Sequence, residues 1–279
     1  PEQKAKYLPM AAEGRLGAFC LTEPGAGSDA GGLRTKAVKD GDGYVLNGNK
    51  CFISNFGPEE GDHFVVIART DPEKGTRGGM TAFLVERGTP GLSLGKTEDK
   101  MGMRAAAVSE LILEDCRVPE SAVMGREGDG FQIAMSGLDG GRIGIGAQAL
   151  GIAQAAIDAC VKYTTERMQF GKRISQFQNT QFQLADMQAR VDAARLLIYR
   201  AAQAKQDHEP YSHLAAMGKL YASEAASSVT RRCLQLVGGY GYTREYPFER
   251  FMRDAKITEI YEGTSEVQRM VIAGWMGVK

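Results

Sequence analysis

Two hydrophobic rhythms divide the chain. From about Gly17 to about Gly125 the apolar residues fall in short runs, several alternating with polar ones, separated by Gly, Pro and Asp turns. TKAVKDGDGYVLNG predicts a hairpin, with arms Thr35–Lys39 and Tyr44–Asn47 joined by Asp-Gly pairs. HFVVIART, GMTAFLVER and SELILED predict further strands. Strands packed this closely, with no helical pattern between them, argue for an antiparallel β-barrel or sandwich. From about Gly130 the period lengthens. FQLADMQARVDAARLLIYRAAQAKQ repeats apolar residues at three-and-four spacing, as in Leu184, Met187, Val191 and Ala194. The Ala-rich stretch from Phe131 to Met168, HLAAMGKLYASEAASSVTRRCLQLV and the shorter TSEVQRMVIAGWM behave alike. Long helices with short connections make an up-and-down bundle. The expected fold is α+β: a β domain over residues 1–124, with a short helical lead-in, then an α-helical bundle over 125–279.

Composition narrows the partners. Lys plus Arg and Asp plus Glu number 34 each, so no net field favours nucleic acid, and an anion site must be local. No apolar run reaches the length of a membrane span, so no membrane insertion is expected. Cys20, Cys51, Cys116, Cys160 and Cys233 are scattered without a CxxC pair, which fits buried reduced thiols better than disulfides. His63, His208 and His213 have no metal-ligand spacing, so no metal site is expected.

Three segments carry candidate chemistry, each with an ordinary reading beside it. LTEPGAGSDAGG (residues 21–32) is either a flexible connection or a loop whose glycines let backbone amides and hydroxyls approach a cofactor; GAG is not the dinucleotide fingerprint. LVGGYGY (236–242) ends a predicted helix, where glycine is the usual cap, yet it is longer than a cap needs. In IYEGTSEVQ (260–268), Thr264 or Ser265 caps the last helix, and Glu262 is either a plain loop carboxylate or a base. The residues alone leave these choices open.

LTEPGAGSDA, NGNKCFISN, RMQFGK, LQLVGGYGY and MRDAKITEIYEGTSEVQ, in this order and spacing over nearly the whole chain, resemble the acyl-CoA dehydrogenase family. DGGRIGIGAQALGIAQ most resembles its short-chain, butyryl-CoA branch. The family has an N-terminal helical domain, a middle β domain and a C-terminal bundle; the resemblance implies that the first, a small domain of about a hundred residues, is lacking here. It also implies FAD. Phe19, Leu21, Thr22, Gly27 and Ser28 match the flavin-binding loop, and Phe52, Ile53 and Ser54 match the strand against the flavin ring, with Phe52 where relatives often carry Trp. Arg167, Phe170, Gln178 and Gln235, Leu236, Val237, Gly238, Gly239 match bundle residues that reach the diphosphate and adenosine, usually on a neighbouring subunit. Thr264, Ser265 and Glu266 resemble another FAD contact set.

Substrate contacts implied in the same way are Ser28, Asp139, Gly140, Gly141, Arg142 and Gly263. Glu262 matches the catalytic base; where isovaleryl-CoA relatives place the base on a helix, this chain has Gly141. The implied reaction is α,β-dehydrogenation of a short-chain acyl-CoA in fatty acid β-oxidation. Glu262 takes the α-proton, Cβ delivers hydride to the flavin, and trans-2-enoyl-CoA leaves. An oxyanion arrangement would include the backbone amide of the base, and exclusion of water would raise the pKa of Glu262. An electron-transferring flavoprotein as acceptor, a homotetramer built as a dimer of dimers, and a bacterial cytoplasmic or mitochondrial matrix location follow from the resemblance. Alternatives of other chemistry are an enoyl-CoA reductase, an acyl-CoA oxidase, or a catalytically silent scaffold of the same fold.

Overall fold

A computed structural model describes residues 1–278. The chain forms two compact units, one of residues 1–100 and 104–136, the other of residues 101–103 and 137–279.

In the first unit, helix α1 (Glu2–Ala12) precedes strands β1 (Gly17–Cys20), β2 (Lys36–Asp40), β3 (Gly43–Ser54), β4 (His63–Arg69), β5 (Met80–Glu86), β6 (Leu92–Thr97), β7 (Val108–Pro119) and β8 (Val123–Met124). The strands make one sheet in the order β6-β7-β3-β2-β4-β5-β8, with β1 beside β4. The expected hairpin is β2–β3, paired from Lys36 opposite Asn47 to Asp40 opposite Gly43. Most pairings are antiparallel, but β1 and β2 both run parallel to β4. The sheet is therefore mixed. The turn signals mark strand ends but carry no information about which strands a long crossover brings side by side.

Packing follows the alternation. On β7 Ser109, Leu111 and Leu113 point inward, and Phe56, Phe64, Phe83 and Leu46 fill the same core. Phe56 and Phe64 meet edge to face with centroids 4.8 Å apart, and Tyr44 and Phe83 do so at 5.1 Å. One buried ion pair interrupts this apolar interior. Lys50 on β3 is fully buried, and its Nζ donates to Glu23 Oε1 at 2.8 Å and to the Leu21 carbonyl at 3.0 Å. The Glu23 carboxylate also accepts the backbone N–H groups of Arg34 (2.6 Å) and Thr35 (2.9 Å). The pair thus ties both ends of the glycine-rich segment to the sheet. Burial disfavours the Glu23 carboxylate, but the Lys50 ammonium and these donors outweigh it and hold its pKa below the ordinary value.

In the second unit α2 (Gly130–Glu166, entering from the first), α3 (Gln178–Gln206) and α4 (Ser212–Val237) are the long elements, followed by α5 (Phe248–Ile257) and α6 (Ser265–Trp275). Their seam repeats at four-and-three spacing: Ala149, Ala153, Ala156 and Cys160; Met187, Val191, Ala194 and Ile198; Ala222, Ala226, Val229 and Cys233. Small residues let the backbones approach. A Cβ on Gly146 would lie 2.3 Å from Ile198 Cδ1, so Ile198 fills a gap that only glycine leaves. Contrary to the expectation from the sequence, α2 is long and apolar enough by composition to cross a membrane. Its glycines and alanines dilute the few charges, and Ala149, Leu150, Ala153 and Ile157 spend that apolar character on the bundle core. The division between the units falls inside α2, at Ser136–Gly137. The five cysteines are free and buried.

Breaking the buried pair leaves an uncompensated charge. Glu23→Gln should therefore lower the unfolding free energy by roughly 3–5 kcal/mol, read as a fall in the denaturation midpoint. Because the folded-state carboxyl is the stronger acid, the wild-type margin over Glu23→Gln should persist above pH ~4.3 and shrink as pH falls through the folded value. Equal midpoints for the two proteins at neutral pH would show that the pair contributes nothing.

Candidate functional site

The carboxylate of Glu262 is the group whose surroundings are least ordinary. It lies in the short connection between α5 and α6, where two consecutive residues run left-handed: Glu262 at φ 54° and Gly263 at φ 87°. A side chain in that region is strained, so neighbouring groups must hold it there. The turn is pinned from both sides. Ser265 N donates to the Glu259 carbonyl at 2.9 Å. Thr264 caps α6, its hydroxyl accepting from Val267 N at 3.3 Å. Buried Gln268 donates through Nε2 to the carbonyls of Glu262 (3.1 Å) and Gly263 (2.8 Å), and the buried ammonium of Lys219 on α4 donates to the Gly263 carbonyl at 2.7 Å.

The side chain points at α2. A Cβ built on Gly141 would lie 2.6 Å from Glu262 Oε2 and 2.9 Å from its Cδ, so the carboxylate occupies the room that glycine leaves. Oε2 is buried and has no hydrogen-bond partner among the described residues. Burial raises the pKa of Glu262 above the ordinary carboxylate value, and the positive charges of Arg142 and Lys219 pull part of that rise back. The Glu262 N–H finds no acceptor among the described residues. One residue thus presents a carboxylate made more basic by dehydration and a free amide donor. That combination can accept a proton from carbon while stabilising charge on a nearby oxygen.

Around it, Arg142 is buried and donates to Asp139 Oδ1 at 2.6 Å; Asp139 also accepts from the Ser212 hydroxyl at 2.9 Å. The Arg142 Nε is buried without a partner among the described residues. Lys205 of α3 lies against Gly140, its Nζ 2.8 Å from where a Cβ would stand. The structure therefore brings Asp139, Gly141, Arg142, Glu262 and Gly263 into one neighbourhood. Tyr261, whose hydroxyl donates to Gln148 Oε1, anchors the turn from α2, and burial raises its pKa to about 12.

A second cleft in the same unit, of about 380 Å³, is lined by Tyr163, Arg167, Gln169, Ile174, Val237, Gly239, Tyr240 and Thr243. It unites RMQFGK with LVGGYGY. Gly238, at φ 73°, ends α4 with its N–H on the carbonyls of Leu234 and Gln235, so the cap reading of this glycine holds as well. A Cβ on Gly239 would meet nothing within 4 Å, which leaves its backbone open. The Arg167 guanidinium sits 5.5 Å from the Tyr240 ring centroid. A cation, glycine backbone and aromatic walls in one cleft suit a phosphate joined to an aromatic ring system. Phe170 stands apart at 92% exposure, meeting Phe177 edge to face, while Gln178 opens α3. Glu266 is exposed, and its own backbone N–H and the Thr264 hydroxyl hold its pKa below the ordinary value, so both residues have a capping role. The Ser265 hydroxyl is buried and unpartnered.

In the first unit, Thr22 O accepts from Cys51 N at 2.9 Å, which sets the glycine-rich segment beside the end of β3. There the register against β7 slips between Lys50 and Ile53, and Phe52 turns left-handed at φ 57°. This bulge throws the Phe52 ring outward, 64% exposed, while Ile53 stays in the core. Phe19 on β1 is also exposed, Leu21 is buried, and Gly27 and Ser28 lie on the open part of the segment.

Residues 18–116 match the family model for the acyl-CoA dehydrogenase middle domain, and residues 128–277 that for the acyl-CoA dehydrogenase C-terminal domain. A short-chain-specific acyl-CoA dehydrogenase of Clostridium acetobutylicum is 53% identical over 98% of this chain and 72% of its own length. An acryloyl-CoA reductase (NADH) of Anaerotignum propionicum is 54% identical over 98% of this chain and 69% of its own. The solved butyryl-CoA dehydrogenase of Megasphaera elsdenii superposes with a TM-score of 0.95 at 50% identity, covering 98% of this chain and 71% of that one. With both family models matched and half of the residues shared, the chain belongs to the acyl-CoA dehydrogenase family.

Proposed function

We propose that the protein dehydrogenates short-chain acyl-CoA thioesters to trans-2-enoyl-CoA with FAD, Glu262 being the base. The single observation that carries this reading is the Glu262 carboxylate: dehydrated, unpartnered at Oε2 and set against Gly141, with its own amide left free. The comparisons support the substrate class, since relatives about half identical over nearly the whole chain are short-chain-specific.

FAD, when bound, supplies the acceptor for the hydride that leaves Cβ. Glu262 removes the proton from Cα. Its backbone N–H is the donor assigned to the thioester oxygen, where negative charge develops; such a donor is worth roughly 3–4 kcal/mol. Asp139, Gly140, Gly141 and Arg142 would line the path of the CoA portion, with Ser28 and Gly263 near the acyl thioester. The exposed rings of Phe19 and Phe52, with Leu21, Thr22, Gly27, Ser28, Ile53 and Ser54, suit the flat apolar and polar edges of a flavin. Arg167, Phe170, Gln178 and the segment Gln235, Leu236, Val237, Gly238 and Gly239 would hold diphosphate and adenosine, serving a neighbouring copy in a tetramer. Thr264, Ser265 and Glu266 would complete the cofactor contacts. An electron-transferring flavoprotein would take the electrons, in a bacterial cytoplasm or a mitochondrial matrix.

A second reading has one specific observation in its favour. The Anaerotignum relative is described as an NADH-linked reductase of acryloyl-CoA, so the same constellation also suits the reverse direction. Glu262 would then deliver its proton to Cα.

In a dye-linked assay of the flavin-loaded protein, turnover should peak near butyryl-CoA. Each methylene that finds no room loses about 0.8 kcal/mol of burial and adds strain, so a maximum at long-chain substrates would contradict the assignment. Gly141→Ala offers a separate check. The added methyl removes the room that Glu262 occupies, while alanine favours the helix by about 0.8–1 kcal/mol. Turnover should fall by roughly 10- to 100-fold, with the melting temperature unchanged or raised. Wild-type turnover in this variant would show that the carboxylate does not work from that position.

A further inference from the structure

Lys219 is hard to account for as scaffolding. It lies two turns into α4, is fully buried, and among the described residues its ammonium forms no ion pair. Burying an unpaired cation is costly, and a neutral donor would serve a carbonyl more cheaply. Among the described residues, the only hydrogen bond of Nζ goes to the carbonyl of Gly263, the residue after Glu262, at 2.7 Å. On the opposite side, fully buried Gln268 spends its amide on the carbonyls of Glu262 and Gly263. Donors from α4 and α6 thus close on two successive carbonyls, in a stretch where left-handed Glu262 and Gly263 follow each other. Among the described residues, no side-chain partner steers Glu262 Oε2. The direction of the carboxylate is therefore set by the backbone that Lys219 and Gln268 grip.

We infer that Lys219 is a positioning residue for the base: with Gln268 it locks the Glu262–Gly263 turn, and its charge favours the ionised carboxylate. The inference rests on Glu262 being the base. The charged groups that bear on the turn are Arg142 from α2, Lys219 from α4, and Glu259 and Glu266 on either side of it. Of these, Arg142 and Lys219 are the cations, and Arg142 already has Asp139 as its ion-pair partner. Lys219, which forms no ion pair among the described residues, is the other cation that acts on Glu262. Burial lowers its own pKa to about 8, so it remains charged through the range in which a carboxyl titrates.

The charge and the grip separate by mutation in the flavin-loaded enzyme. Lys219→Met removes both. Its kcat should fall by roughly tenfold or more, and the acid limb of its pH profile should move to higher pH, because Glu262 loses a cation that stabilises its charged form. Gln268→Met keeps the cation and loosens the turn, so kcat should fall with the acid limb where it was. Lys219→Gln keeps a donor without the charge; it should recover much of kcat yet retain the shifted limb, and it carries the test if Lys219→Met does not fold. A merely structural lysine would lower flavin content or melting temperature and leave the acid limb of the folded fraction unmoved, and that result overturns the inference. Glu262→Gln measured alongside separates the two claims: if it turns over normally, the base assignment fails, whatever the lysine variants do.

Discussion

Two successive left-handed residues, Glu262 and Gly263, set the terms for everything around them. A glycine bears that conformation freely, whereas a glutamate does not. The strain is sustained because donors from α4 and α6 hold the carbonyls and Thr264 starts the next helix at once. In return the chain reverses within a few residues, so that one residue aims its carboxylate at Gly141 and leaves its amide free. Burial then does the chemical work. Away from water the carboxylate becomes a stronger base, and Arg142 and Lys219 limit how far that goes. Both effects are needed: a fully solvated carboxylate is too weak a base, and an isolated buried one stays protonated.

The same logic recurs at the other end of the chain. Loop backbone that serves a ligand must be open, yet it must also be fixed. The segment Leu21–Gly32 meets both demands through Glu23, whose carboxylate gathers Lys50 and two backbone amides. The Phe52 bulge on β3 is a local device of the same kind, spending one irregularity in register to turn a ring out of the core. In both units, polar groups buried at some cost maintain backbone conformations that apolar packing alone does not specify.

Much of this was legible in the sequence. The change of hydrophobic period located the β-rich and helical regions, and Asp-Gly pairs located the β2–β3 hairpin. The family motifs singled out Glu262, Arg167 and the glycine segments, because each carries several residue types at fixed spacing. Lys50, Gln148 and Gln268 fall inside the quoted motifs, but nothing in the sequence shows which groups their side chains hold. Lys219 lies in an ordinary helix pattern, where a lone lysine reads as a solvated face. Only the fold shows that Lys50 and Lys219 are fully buried. The parallel pairings of β1 and β2 with β4 escaped for a related reason: period and turn chemistry are local, and strand partners are not. The apolar length of α2 was missed because Gln148, Gln154 and Asp158 interrupt any unbroken apolar run, although the helix is apolar on average.

Removal of the α-proton by Glu262 is the step on which the proposed chemistry depends. Rapid mixing of flavin-loaded Glu262→Gln with butyryl-CoA under anaerobic conditions tests it most directly, since flavin bleaching reports the chemical step alone. Glutamine keeps the size of the side chain and the backbone amide and loses only the group that accepts a proton. Acyl-CoA should still bind, and bleaching should slow by at least roughly 10²- to 10⁴-fold. Bleaching at the wild-type rate would contradict that role for Glu262.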